Sequence, residues 1–559
     1  MVLVTLLICL FTPLLAAAAS ISITPPYQPN LPPKLLKVSN GVVAPDGFNR
    51  SAVLVNGQFP SPLLSGKKGS TFRFNVENAL TDPTMQRGTS IHWHGLFQKG
   101  TNYADGPVGV SQCPIAPQNA FVYEFAVNNQ AGTYWYHSHF ATQYCDGLRG
   151  PLVVYDDNDP YRWLYDVDNE NTVITVGEWY HTPTPSIVTI PSAHSTLING
   201  KGRSSGGPAV PLSVINVQRF KRYRIRLVSI ACDSNYIFSI DGHPFLVLEA
   251  DGQNIVPYYA DKIQIFAGQR YSFVLFANQK VDNYWIRALP NNGKGDLPLN
   301  FNGGINSAIL RYKGAKEVEP KTSEKVKAKI LEESELRPLL LDARAPGAAR
   351  PGGADVNINL DIGVDFQTLR FLINGASYSP PSVPVLLQIL SGAKTAQELM
   401  PSGSIFTLPR HKVIEITIPG GSPGGPHPFH LHGHAFSVVK SAGANAKANY
   451  RNPVRRDVVS IGEAGSNVTL RFVTDNPGPW FLHCHIDWHL DAGLAVVFAE
   501  DPGHTSVTVQ PPDDWRALCP TFDALPPSAT AISQVPEGPG LSPQSISVPS
   551  RQLPPAGRK

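Results

Sequence analysis

The sequence predicts an all-β protein of about three sandwich-like domains, and three observations carry that expectation. The chain has 559 residues, too many for one hydrophobic core, and its 42% hydrophobic content supplies material for several. Gly (47) and Pro (52) are abundant while charged residues make up only 16%, a balance that suits many short strands joined by turns. Apolar residues recur with a period of two, and long amphipathic helical patterns are scarce.

The period can be read strand by strand. In TFRFNV, Phe72, Phe74 and Val76 share one face; in KVIEITI, Ile414, Ile416 and Ile418 do; in NVTLRF, Val468, Leu470 and Phe472 do. RYRIRL and RYSFVLF, starting at Arg222 and Arg270, repeat the alternation, and Gly/Pro/Asn turns such as Val55-Asn56-Gly57 separate the runs. A polar stretch, DDNDPYRWLYDVDNEN from Asp156, closes a first domain. The charged run KGAKEVEPKTSEKVKAK and the following ARAPGAARPGGA read as a linker into a third. The expected domains are 20–157, 158–330 and 331–525. Residues 526–559 form a Pro/Ser-rich tail with a basic end, expected to be disordered because it can bury little.

Residues 1–19 read as a secretory signal peptide: about eighteen apolar residues end in Ala17-Ala18-Ala19, although the leading residues lack Lys and Arg. No other segment is apolar enough to span a bilayer. Sequons at Asn49 and Asn467 agree with a secreted, glycosylated protein. The net charge of +3 is spread along the chain, which argues against a nucleic-acid surface. Without Cys9 the mature chain keeps Cys113, Cys145, Cys232, Cys484 and Cys519. Four of these can form two disulfides in an oxidising compartment, and Cys484, between histidines, is the natural one left over. The residues alone leave the pairing open.

Eleven of the sixteen histidines fall in four short segments: IHWHG (His92, His94), YWYHSHF (His137, His139), HPFHLHGH (His427, His430, His432, His434) and LHCHIDWH (His483, His485, His489). His181, His194, His243, His411 and His504 read as ordinary core or surface residues. Alternation in a strand puts both imidazoles of an H-x-H on one face, and four such repeats are a strong metal signal. A single zinc needs at most four ligands, far fewer than this inventory. Two imidazoles with one thiolate suit a blue copper, so several copper ions fit the donors best. If GPWFLHCHI is extended, Cys484 points away from His483 and His485. One strand then serves two metal sites.

The motifs HWHGLFQKGTNYADGP, GTYWYHSHFATQYCDGLRGP, HPFHLHGHAF and GPWFLHCHIDWHLDAGLAVV resemble the four copper signatures of multicopper oxidases, and more closely of basidiomycete-type laccases. VLVNGQFPSPLL, GGINSAILRY, INGASYSPPSVPVLLQ and NPVRRDVVS extend the resemblance from about residue 30 to about 525. It implies three cupredoxin-like Greek-key β-sandwich domains holding four copper ions. By the same resemblance His427, Cys484 and His489 would hold the type 1 copper, with Leu494 in the axial place. A leucine cannot coordinate, and Met1, Met85 and Met400 all lie far from the motif, so a relatively high reduction potential is implied. His92 and His430 would hold the type 2 copper. His94, His137 and His485 would hold one type 3 copper, and His139, His432 and His483 the other. His434 has no ligand role in the pattern. The implied disulfides are Cys113–Cys519 and Cys145–Cys232.

The implied reaction joins four one-electron oxidations of a phenol or aromatic amine to reduction of O2 to water, in a monomer that needs neither nucleic acid nor membrane. His489 would meet the donor. Asp233, by its residue context alone an ordinary turn aspartate, matches a pocket carboxylate that accepts the phenolic proton. Asp105 matches an acidic residue beside the cluster that could relay protons, and Asp487 is an equally good structural hydrogen-bonding residue. A ferroxidase would need further carboxylates around the type 1 histidines. An axial leucine counts against ascorbate oxidase, and an electron carrier would need only the type 1 ligands.

Overall fold

A computed structural model of the chain describes residues 32–188, 191–233, 235–291, 303–339, 343–443 and 445–534. The signal-like segment 1–19 and most of the 526–559 tail lie outside the described residues. Strands dominate, and the helices are short.

The period-two reading holds where one face of a strand meets the core. Thr71–Ala79 buries Phe72, Phe74 and Val76; Val413–Pro419 buries Ile414, Ile416 and Ile418; Asn467–Val473 buries Val468, Leu470 and Phe472. It fails in Arg222–Ser229 and Arg270–Phe276, which are buried on both faces. Arg224, Arg226 and Arg270 are enclosed there because each meets a carboxylate: Glu249, Asp168 and Asp457 respectively. A buried guanidinium is tolerated only with such partners, so the alternation of charge marks a domain junction and not a wet face.

Three two-sheet units follow in chain order. The first sets a sheet of Lys34–Val43, Arg50–Val55, Thr71–Ala79 and Ala120–Ala126 over one of Leu64–Lys67, Ile91–His94, Gly132–Ser138 and Arg149–Tyr155. The second combines a six-stranded with a five-stranded sheet, and the third two five-stranded sheets with a hairpin, Ile362–Asp365 and Arg370–Ile373. Each unit opens with a parallel pairing: Lys34–Val43 on Thr71–Ala79, Val173–Trp179 on Arg222–Ser229, and Val356–Asn359 on Val413–Pro419. Each also closes with one: Leu64–Lys67 on Arg149–Tyr155, Val214–Val217 on Ser307–Tyr312, and Ile405–Leu408 on Ala495–Glu500. The same crossovers therefore recur three times.

The connecting segments are tethered. In the charged linker, Lys325 pairs with Asp261 of the second unit, and Glu324 with Lys262. The Ala/Gly/Pro-rich run is gathered by Arg471, which donates to the carbonyls of Pro346, Ala348 and Arg350. The start of the tail differs from its expected disorder. Pro527–Thr530 forms a short helix, with proline at the position where a missing N–H costs nothing. Arg87 then donates to the carbonyls of Ser528 and Ala531. Disulfides join Cys113 to Cys519 and Cys145 to Cys232, and Cys484 is free and buried. Among the described residues, no helix is long and apolar enough to cross a membrane.

Candidate metal centres

Two strands of the first unit and two of the third bring eight histidines together. His92 lies directly opposite His137 in the pairing of Ile91–His94 with Gly132–Ser138. His430 lies opposite His483 in the pairing of Pro428–Leu431 with Gly478–Cys484. The two strand pairs face each other across the junction: His92 stacks on His432 with ring centroids 3.9 Å apart, and His94 on His430 at 3.8 Å. His94, His137 and His485 form one group whose possible ligand atoms lie within 4.8 Å of one another, and His139, His432 and His483 form a second. His92 and His430 approach with Nε2 atoms 3.4 Å apart.

Hydrogen bonds on the outer side of these rings decide which nitrogen faces inward. Nδ1–H donates to a carbonyl in four rings: His92 to Asp105, His137 to Ser138, His430 to Asp457 and His483 to Cys484. His432 Nδ1 donates to Asp105 Oδ2 at 2.8 Å. An acceptor on the outer nitrogen holds the proton there and leaves the Nε2 lone pair to the interior. His94 is reversed. Its Nε2 meets Asp457 Oδ1 at 3.2 Å, and its Nδ1 faces His485 Nε2 at 3.2 Å. Burial and mutual repulsion keep His94, His137, His139, His430, His432 and His485 neutral by pushing their pKa values well below the ordinary value, and burial takes His483 down to about 3.

The other centre belongs to the third unit alone. The strand Gly478–Cys484 turns Cys484 away from His483 and His485, as its alternation requires, and the short helix Asp487–Asp491 returns His489 beside it. Cys484 Sγ lies 3.5 Å from His427 Nδ1 and 3.7 Å from His489 Nδ1, and the two Nδ1 atoms are 3.0 Å apart. Ser422 Oγ holds His427 Nε2 at 2.7 Å. The Phe371 ring from the hairpin packs on both imidazoles, at 5.6 Å and 4.8 Å. Leu494 is fully buried, and its backbone bonds to Cys484 N and His489 O. Burial raises the Cys484 thiol and lowers His427 to about 4. Of the eleven clustered donors only His489 is half-buried rather than buried.

Three carboxylates flank these centres. Asp105 is fully buried, bonds His432 through Oδ2, and sets its Oδ1 3.3 Å from His92 Nδ1; burial raises its carboxyl. Asp233 is half-buried beside Cys232, whose carbonyl accepts from Asp487 N at 2.8 Å. After burial, the Asp233 charge adds to the upward shifts of Tyr180 and Cys484. Asp487 is raised by burial and by Asp491. Both line a cavity of about 170 Å³ that reaches His139 and Phe481.

Three multicopper oxidase family models match residues 37–159, 170–315 and 378–504. The chain belongs to the multicopper oxidase family. It is 58% identical to laccase-1 of Pleurotus ostreatus over 87% of this chain and 92% of that protein. It is equally similar to laccase-2 of Trametes versicolor, over 88% and 94%. Among solved structures, the laccase of Botrytis aclada superposes with a TM-score of 0.77 at 30% identity, covering 91% of this chain and 94% of that one. A multicopper oxidase that functions in iron import also scores 0.77, at 28% identity, covering 88% and 94%. The three units are therefore the cupredoxin-like domains of this family, and the activity is that of a laccase-type oxidoreductase.

The donors fit the copper that the family implies. The Nε2 atoms of His137 and His139 are buried without a hydrogen-bond partner, as ligand atoms would be. Neutral imidazoles and a single thiol are the donor types copper prefers. His434 stays outside the groups, facing Glu500 at 3.0 Å. The other histidines have ordinary partners, His181 on Asp46 and His243 on Tyr312. Sequence reading missed Asp457, Arg270 and Phe371, and also Tyr144, whose hydroxyl donates to the His485 carbonyl at 3.3 Å. NPVRRDVVS carried Asp457 in plain view, but neither its strand pattern nor its charge points to the histidines it holds. Asn49 is exposed, while Asn467 accepts from Lys440 Nζ at 2.8 Å.

Proposed function

We propose that this laccase-type oxidase takes electrons one at a time from phenols or aromatic amines at His427, Cys484 and His489, and reduces O2 to water at the eight-histidine cluster. Four donors each lose one electron and one proton, and one O2 takes up four of each to give two waters. Copper would supply the one-electron redox chemistry at both centres, with four ions held as the sequence reading assigns them: His427, Cys484 and His489; His92 and His430; His94, His137 and His485; His139, His432 and His483.

One observation carries the reading. Cys484 faces the edge centre while His483 and His485, its chain neighbours, face the cluster. His483 Nδ1 also donates to the Cys484 carbonyl at 2.9 Å, so covalent bonds and a hydrogen bond join the two centres. His489, the half-buried imidazole of this centre, suits contact with a bulky ring. Asp233 would accept the phenolic proton as charge leaves the ring, and proton transfer there is general-base assistance. Asp105 Oδ1 and the Asp487 carboxyl would hold protons for the cluster, one on each side. The cavity lined by Asp487 and Asp491 gives O2 and water a route to His139. One chain supplies every ligand, which supports a monomer. The signal-like leader, the two disulfides and exposed Asn49 support secretion.

Copper content with the visible spectrum and O2 uptake tests this reading. Four coppers per chain, an intense thiolate-to-copper band and O2 uptake with a phenolic donor are expected. A fully loaded protein that takes up no O2 overturns it, and faster turnover of Fe(II) than of phenols shifts it to a ferroxidase.

A further inference from the structure

Among the described residues, none of the grouped metal-ligand candidates comes from the middle domain, yet its turn at 266–270 forms one wall of the cluster. Gly268, at φ +81°, is pressed so close that a Cβ there would lie 2.8 Å from His485 Cδ2 and 3.0 Å from His94 Cε1. Two residues on, Arg270 is fully buried and uses its whole fork. Nη1 and Nη2 each donate to Asp457 at 2.6 Å, Nη1 also donates to Gly268 O at 3.0 Å, and Nε donates to Thr133 O at 3.1 Å. One guanidinium thus ties the first, second and third domains. Its backbone is fixed in turn, because Arg270 N donates to Asp251 Oδ1 at 2.8 Å.

Asp457, the residue so gripped, holds two histidines at once. Its carbonyl accepts from His430 Nδ1 at 2.9 Å, and its Oδ1 meets His94 Nε2 at 3.2 Å. His94 is the reversed ring, and the carboxylate is what reverses it. A carboxylate free to rotate could take the proton of either nitrogen. A bidentate guanidinium permits one orientation only.

We propose that Arg270 is a positioning residue of the cluster: by fixing Asp457 it sets His430 for the type 2 copper and turns His94 Nδ1 inward. The proposal rests on the ligand reading above and assigns the middle domain a role in the metal site beyond that of a spacer. Groups that orient metal ligands from outside typically account for roughly 10- to 100-fold in metal affinity. The effect should be confined to the histidines Asp457 touches, because the Arg270 guanidinium bonds Asp457, Gly268 and Thr133, none of which belongs to the edge centre.

The test uses the copper-loaded full chain and compares Arg270→Met and Arg270→Lys with Arg226→Met. Arg226 is also buried and also spans the first two domains, bonding Thr133 Oγ1 and Asp168, but it touches no histidine. Chelator competition, followed by the type 2 electron paramagnetic resonance signal, should show Arg270→Met losing type 2 copper roughly 10- to 100-fold more readily than wild type. Its thiolate-to-copper band should be unchanged. Arg270→Lys, which keeps the charge and loses the fork, should fall between them. Arg226→Met should lower the melting temperature and leave type 2 retention at the wild-type level. Equal retention in Arg270→Met and wild type overturns the proposal, and so does equal loss in Arg226→Met, which would mean general loosening of the domains. If Arg270→Met fails to fold, Arg270→Lys takes its place, and an unchanged type 2 signal there overturns it. His430→Ala separates the two levels: a type 2 signal surviving there overturns the ligand reading itself.

Discussion

His427, Cys484 and His489 come from one domain, pack under the Phe371 ring and leave one imidazole half-buried rather than buried. The eight histidines of the other centre come from two domains, lie against a third and are all buried. The outer side of that centre is closed by fixed acceptors, four carbonyls and two carboxylates. At the edge centre Ser422 Oγ holds the far nitrogen of His427, and no carboxylate bonds either imidazole among the described residues. The contrast follows from the partners. A variable aromatic ring needs electronic contact with one imidazole edge, whereas partly reduced oxygen must be enclosed. The two sites differ in access, and Cys484 joins them.

The largest effect expected is loss of the junction. Cys484→Ser should abolish the thiolate-to-copper band and phenol-driven O2 uptake together, while circular dichroism and both disulfides stay unchanged. An active, colourless Cys484→Ser protein would mean that electrons enter the cluster by another route, and the comparison between an entry site and an enclosed site would break.

Asp233→Asn comes next and tests the open side alone. Losing a general base typically costs about 10² to 10⁴ in rate. For phenols kcat/KM should fall by roughly the lower of these figures, with a changed pH profile. A donor that releases no proton should be oxidised at the wild-type rate, and KM for O2 should not move. Equal losses for both donors would make Asp233 a structural turn residue, which is how its sequence context alone reads.

The enclosed side is tested by pH. In the copper-free protein, burial holds His94, His137, His139 and their neighbours far below the ordinary histidine value. As pH falls below about 6.5 the unfolded chain takes up protons that the folded chain refuses, so stability falls with falling pH. Each such histidine should contribute a slope of about 1.4 kcal/mol per pH unit in that range. Chemical denaturation of the apoprotein between neutral and mildly acidic pH checks this, and His139→Asn should make the dependence shallower. A flat profile would show that the cluster opens to water without copper.

Much of this arrangement is legible in the sequence, for a definite reason. Strand alternation is local, so the separation of Cys484 from His483 and His485 can be read from three consecutive residues. Runs such as Thr71–Ala79 show their buried face in the same way. Contacts between distant segments carry no such mark. Arg270 reads as the polar start of a strand, and only the fold brings it to Asp457. Arg224 and Arg226 mislead for the same reason: alternation says exposed, and a domain junction encloses them with acids. The start of the tail reads as disordered from its Pro/Ser content, since nothing nearby in sequence announces that Arg87 will bind its carbonyls.

The smallest effect expected lies at the edge centre itself. Gly424, at φ +81°, passes so near His489 that a Cβ there would stand 2.9 Å from Nε2, the nitrogen that faces away from Cys484. A methyl group must therefore push the imidazole or shift the loop, and a non-glycine residue in this backbone conformation costs on the order of 1 kcal/mol in addition. Gly424→Ala should keep its copper, since Nδ1 and Cys484 are untouched. Its KM should rise several-fold for bulky donors and little for small ones, by roughly the 1 kcal/mol that corresponds to a factor of about five. If large and small donors lose equally, the imidazole has moved with the loop, and the edge of His489 is not where donor size is sensed. If only bulky donors lose, the centre on the edge is selected by access and the buried one by enclosure, and one glycine without a side chain marks the boundary between them.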